Sequence, residues 1–192
     1  MYQTTGANNT FLLNTDGFIV GTLYGKFPDR YAIEGGVVAS TQATPLYGGL
    51  PLTLAVTAPT IQGSSGLGER ATLATAQTNI DGWSVFDQAS AGVISGFSNV
   101  PLYYANTSIN FIRSGFLVLP VNPAAVNTIA GGASNQNIFW NFTQNYVDIT
   151  GTGALGFQII ALSTNSKTVT YAAGPPITAN WNGSGSVIVV KI

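Results

Sequence analysis

Apolar and β-branched residues recur along this chain in runs of about four to eight, cut by Gly, Pro, Asn and Ser, which is the pattern of strands punctuated by turns. The runs predict strands at Phe18 to Tyr24, Gly36 to Ala39, Leu52 to Thr57, Trp83 to Asp87, Ala91 to Ile94 and Ser108 to Arg113. Further strands are predicted at Phe116 to Val121, Asn145 to Asp148, Phe157 to Ser163, Thr168 to Ala172 and Ser186 to Ile192. Ser114-Gly115 between two of these runs predicts a short hairpin turn, and Thr164-Asn165-Ser166-Lys167 predicts a second hairpin.

Helical signals are few. Glu69 to Gln77 (ERATLATAQ) holds good helix formers, weakened by its threonines and by the lack of an apolar stripe. Asn122 to Ile129 predicts one short turn with Pro123 at its first position. The expected fold is therefore all-β, a jelly roll or a β-sandwich or barrel-like single domain with at most two short helices. Residues 1–15 are polar around the apolar knot Phe11, Leu12 and Leu13, and form an expected extended N-terminal arm; residues 16–192 form the β-rich domain. Loops are expected at 57–70 and 129–136. The triplet Pro-Leu-Tyr occurs at 45–47 and 101–103, but its surroundings do not repeat.

Composition narrows the chemistry. Only 7% of the 192 residues are charged, where roughly 25% is usual, while 45% are hydrophobic. That balance is opposite to a disordered chain. There is no histidine and no cysteine, which excludes Ser-His-Asp and Cys-His catalysis, imidazole or thiolate metal sites and disulfides. A net charge of −1 with no basic run gives no footing for nucleic-acid phosphates. No apolar run approaches the ~20 residues of a membrane span, and MYQTTGANNT lacks the basic and apolar regions of a secretory signal. No cofactor is expected.

Several constellations carry other readings. Gly63 to Gly68 has the glycine spacing of a phosphate-binding loop, yet Glu69 stands where the lysine belongs, so a surface loop is expected. Asn14, Asp16 and Gly17 resemble part of a calcium loop, but Leu12 and Leu23 occupy ligand positions, so a turn is expected. The seven acids, Asp16, Asp29, Glu34, Glu69, Asp81, Asp87 and Asp148, are scattered, with nothing to converge a hydrolytic pair. Trp83, Trp140 and Trp181 either line a sugar-binding face or fill the core, and the core is the expectation. Lys26, Asp29, Arg30 and Glu34 lie close together in KFPDRYAIEGG; they are either a solvated loop or an ion-pair cluster between subunits.

The run YAIEGGVVASTQATPLYGGLPLTLAV at 31–56 resembles the N-terminal signature of the structural cement, or capsid decoration, proteins of tailed bacteriophages. An apolar-Glu-Gly-Gly segment (Ile33 to Gly36) precedes a Pro-Leu-aromatic-Gly-Gly-apolar-Pro element (Pro45 to Pro51). IDGWSVFDQASAGVI at 80–94 and SINFIRSGFLVLPVNP at 108–123 agree, with Asn110, Phe111 and Arg113 in the aromatic-arginine strand. The resemblance covers residues 18–123. It implies a β-rich, often jelly-roll-like protein that trimerises on the outer surface of a phage head and clamps neighbouring major capsid subunits. The implied partners are the major capsid protein and two further copies of the chain, with no nucleic acid and no membrane. The expected partner contacts are Asp29, Arg30, Glu34, Pro45, Leu46, Tyr47, Gly48, Gly49 and Arg113. Gly48 and Gly49 permit close backbone approach and the flanking prolines stiffen the element. A tail, spike or fibre β-module that binds glycans through its tryptophans is the alternative expectation.

Overall fold

Strand register explains most of the architecture. A computed structural model describes residues 2–4, 11–13, 20–24, 33–56, 69–85, 102–163, 166–169, 177–180 and 186–192. The strands are β1 (Tyr2–Thr4), β2 (Phe11–Leu13), β3 (Ile33–Val38), β4 (Pro51–Val56), β5 (Glu69–Leu73), β6 (Gly82–Ser84) and β7 (Ser108–Ile112). They continue with β8 (Phe116–Pro120), β9 (Phe139–Asn141), β10 (Tyr146–Asp148), β11 (Gln158–Ser163), β12 (Ser166–Val169), β13 (Ile177–Asn180) and β14 (Val187–Lys191). The fold is all-β, and strands β3 to β7 realise the barrel-like form.

Contacts gather the chain into two compact units, one of residues 21–117 with Ile192, the other of residues 1–20 and 118–191. In the first, β3-β5-β4-β6-β7 close into a five-stranded barrel. β3 runs parallel to β5, and every other pairing in the ring is antiparallel. So few strands enclose a narrow interior, since barrel diameter grows with strand number. Two-residue alternation turns Gly36, Val38, Leu52, Ala71, Ile109 and Phe111 inward, all of them buried.

The ring of Phe111 fills the interior because its neighbours are small. A Cβ on Gly36 would lie 3.1 Å from Phe111 Cε1 and 2.7 Å from the Glu69 carbonyl oxygen. One on Gly82 would lie 3.4 Å from Phe111 Cδ2. These two strand glycines mark the close approach of another side chain.

The loop joining β3 to β4 is packed rather than free. The two Pro-Leu-Tyr triplets meet there: Leu46 and Tyr103 form an antiparallel bridge, the Leu46 N–H donating at 2.9 Å and the Tyr103 N–H at 2.7 Å. The buried Ser84 hydroxyl donates to the Tyr47 carbonyl at 2.6 Å and accepts from the Leu50 N–H at 2.9 Å. Gly49 has φ of 86°, and Gly21, at φ 81°, approaches so closely that a Cβ would sit 2.3 Å from the Gly48 carbonyl carbon.

The second unit holds three sheets, in the orders β1-β2-β13-β12, β10-β9 and β11-β14-β8. β14 is flanked on both edges, and Val187, Ile188, Val189 and Val190 are all buried. The Asn122 side chain caps a 3-10 turn at Pro123–Ala125, accepting from the Ala124 N–H at 3.0 Å, and the turn runs into α1 (Val126–Ala130). This is the short helical turn expected there, with proline at its start.

Several expectations change. Glu69 to Gln77 is not helical: β5 takes Glu69–Leu73 because Ala71 must face the barrel interior between β3 and β4, and a 3-10 turn follows at Gln77–Asn79. Tertiary pairing outweighs local helix preference. Ser114-Gly115 does not close a hairpin, since β7 belongs to the barrel and β8 pairs in the β11-β14-β8 sheet. Nor do β11 and β12 pair across Thr164 and Asn165, because each lies in a different sheet. Val20 and Gly21 turn instead of continuing a strand from Phe18, and Leu23 alone bridges to Leu117. Strands β1, β2, β9 and β13 were not expected. The strand expected at Ala91 to Ile94 lies outside the described residues.

Candidate functional site

One end of the barrel gathers charge. Glu34 near the start of β3, Glu69 at the start of β5 and Arg113 just past β7 share the inward parity of Gly36 and Phe111, so the ring register brings all three to one mouth. The Arg113 Nη1 donates to Glu34 Oε2 at 2.9 Å, and Nη2 donates to Glu69 Oε1 and Oε2 at 2.6 and 2.5 Å. The guanidinium carbon stands 5.6 Å from the Phe111 ring centroid, so the cation also rests on the barrel's aromatic filling. The rim is apolar, with Ile33 54% and Val56 83% exposed.

The hydrogen bond to Glu69 raises the Arg113 guanidinium above its ordinary pKa; desolvation opposes this, and the charges of Glu34, Glu69 and Asp81 add to it. Arg113 thus stays charged throughout the working pH range. Asp81 is itself occupied, its Oδ2 accepting from the Leu54 N–H at 2.9 Å. The three side chains of the trio remain 25–42% exposed, and ion pairs so solvated contribute little to stability. Arg113→Gln is accordingly expected to change the unfolding free energy by about 1 kcal/mol or less. Urea titration checks this, and a loss several times larger would make the trio a folding element instead.

The expected contact residues do not form one cluster. Glu34 and Arg113 meet at this mouth. Pro45, Leu46, Tyr47, Gly48 and Gly49 belong to the loop between β3 and β4, where the Tyr47 carbonyl accepts from the Ser84 hydroxyl and the Gly49 N–H donates to the Ser84 carbonyl. Leu46, Gly48 and Gly49 are buried within their own unit, where the element packs on Ser84, Tyr103 and Gly21. Pro45 is exposed and Tyr47 half-buried. Asp29, Arg30 and Lys26 lie outside the described residues, as do Asp16 and the Gly63 to Gly68 loop.

Glu69 is the member that sequence reading missed, since it was weighed as a misplaced phosphate-loop lysine and as a helix start. The alternation Glu69, Ala71, Leu73 was its available signal. Two acids, Glu34 and Glu69, do converge, and both accept hydrogen bonds from Arg113. Trp83 and Trp140 are 2% and 4% exposed, so neither offers a face for a sugar ring; Trp181 lies outside the described residues. Among the described residues no group of three or more metal-ligating side chains occurs. Comparison with family models, with curated proteins and with solved structures finds no match to this chain.

Proposed function

We propose that this protein is a non-enzymatic capsid decoration protein, one that binds the outer surface of a tailed-phage head as a trimer and clamps neighbouring major capsid subunits. The observation that carries the reading is where the resembling segments fall. Ile33 to Gly36 opens β3, Pro51 opens β4, Gly82 to Ser84 is β6 and Ser108 to Ile112 is β7, all parts of the closed barrel. Parts of all three resembling segments thus contribute strands to the barrel, while Phe116 to Pro120 continues into β8 of another sheet.

The chemistry agrees with a passive clamp. A clamp needs a rigid frame and a wide contact, and a closed barrel leaves no free strand edge of its own. At the mouth, Arg113 beside exposed Ile33 and Val56 combines the arginine and apolar side chains that are enriched where proteins meet. Three copies engaging three capsid sites turn modest contacts into firm attachment through effective concentration.

Attachment draws on neutral contacts, because the charges at the mouth are already paired within the chain. Binding of the purified protein to heads that lack it is expected to weaken less than tenfold between ~50 and ~500 mM salt. Cosedimentation with heads reads this directly. A tenfold or greater loss would mean that ion pairs across the interface carry the attachment, and no binding at any salt would remove the proposed role.

A further inference from the structure

The ring has one parallel seam, β3 against β5, and parallel ladders are slightly less stable per residue than antiparallel ones. Its register runs from Gly36↔Glu69 to Val38↔Ala71, so a glycine stands at the mouth end. Away from the mouth the ladder continues, with the Ala39 N–H donating to the Ala71 carbonyl at 2.9 Å. Toward the mouth, among the described residues, Ile33, Glu34 and Gly35 pair with β7 alone. Strand β6 also has short ladders, but both are extended by further backbone bonds. The Asp81 N–H donates to the Leu52 carbonyl at 2.8 Å, and the Val85 N–H to the Asn110 carbonyl at 2.9 Å. Among the described residues, backbone pairing in the ring is thus thinnest where β3 and β5 reach the mouth.

Side chains cross the ring at that place. Glu34 belongs to β3 and Glu69 to β5, and Arg113 donates to both from just past β7. One guanidinium therefore ties the two strands of the seam from a third position. Its planar fork serves both carboxylates at once, which a single point charge does less well. Without the cation, two like charges would face each other across the seam.

We propose that Arg113 is a strap across the β3–β5 seam, and that the barrel opens first at this mouth when the strap is released. Pieces of a fold open at their own free energies, without global unfolding. A trio that adds little to the stability of the whole unit can therefore still govern one seam. Because its side chains are 25–42% exposed, salt screens the strap. Ionic strength then sets how often the mouth opens. The strap rests on ring geometry and stands whether or not the protein binds heads.

Amide hydrogen exchange of the full chain, followed residue by residue, is the test. The β3 and β5 amides that point across the seam are compared with the Val38 N–H, which donates away from it to the Thr107 carbonyl at 2.9 Å. In wild type, raising salt from ~50 to ~500 mM is expected to speed seam exchange by about twofold to fivefold, the range of exposed ion pairs. At the lower salt, Arg113→Gln is expected to speed the same amides by a similar factor. The salt effect then changes sign, because added salt screens the repulsion between Glu34 and Glu69 and slows opening. Lys191→Gln, which removes a charge from β14 in the other unit, is expected to leave the seam and its salt response unchanged. Seam amides that exchange alike in wild type and Arg113→Gln would overturn the strap. So would acceleration spread evenly over all five ring strands, or a salt response of the same sign in both proteins.

Discussion

Replacing Phe111 by alanine is expected to lower the unfolding free energy of the barrel unit by about 3–5 kcal/mol. The ring is fully buried, lies against the small residues Gly36 and Gly82, and supports the Arg113 guanidinium at the mouth. Glycine at 36 and 82 leaves no side chain able to move into the vacated space, so the cavity term is large. Urea titration followed by tryptophan emission suits the measurement, because Trp83 sits in β6 of the same ring. A loss below about 1 kcal/mol, as at an exposed site, would show that the ring does not fill the barrel.

Gly21→Ala is expected to cost about 3 kcal/mol, combining strain at a positive φ with an overpacked contact. At φ 81° a side chain is disfavoured before any neighbour is met, and the nearest atoms, 2.3–2.5 Å from the added Cβ, are backbone of Gly48 and Gly49. Backbone cannot swing aside as a flexible side chain does. The same substitution at Gly35, whose Cβ would meet nothing within 4 Å, serves as the control and is expected to be close to neutral. Equal effects at both positions would contradict the close approach.

These two positions also show how far the sequence could be read. Alternation and β-branched runs located β7, β8, β11 and β14 to within a residue or two, since a strand's face is a local property. Asn122 before Pro123 announced the helical turn for the same reason. A barrel-like form was among the expectations, but which strands close it was not legible, because closure depends on pairing, and Gly36 finds Phe111 only through that pairing. ERATL, built of helix formers, becomes a strand because a partner on each side requires it. The short β9, three residues pairing with β10, carries too little pattern to register.

The mouth was half legible. Glu34 and Arg113 stood out because charges are rare and because both sit in resembling segments. Their meeting was not readable, since Arg113 lies 79 residues from Glu34 and 44 from Glu69. The glycine-rich element at 45–49 was legible as a place of close approach, but what approaches it was not. Glycine permits close approach, but the backbone that approaches belongs to the same chain, at Gly21.

A reconstruction of phage heads assembled with and without this protein tests the central claim most directly. The account predicts density for three copies on the outer surface of the shell, with the barrel mouth around Arg113 against the major capsid protein, and lower resistance to heat in heads that lack it. Identical reconstructions and identical heat resistance with and without the protein would contradict it.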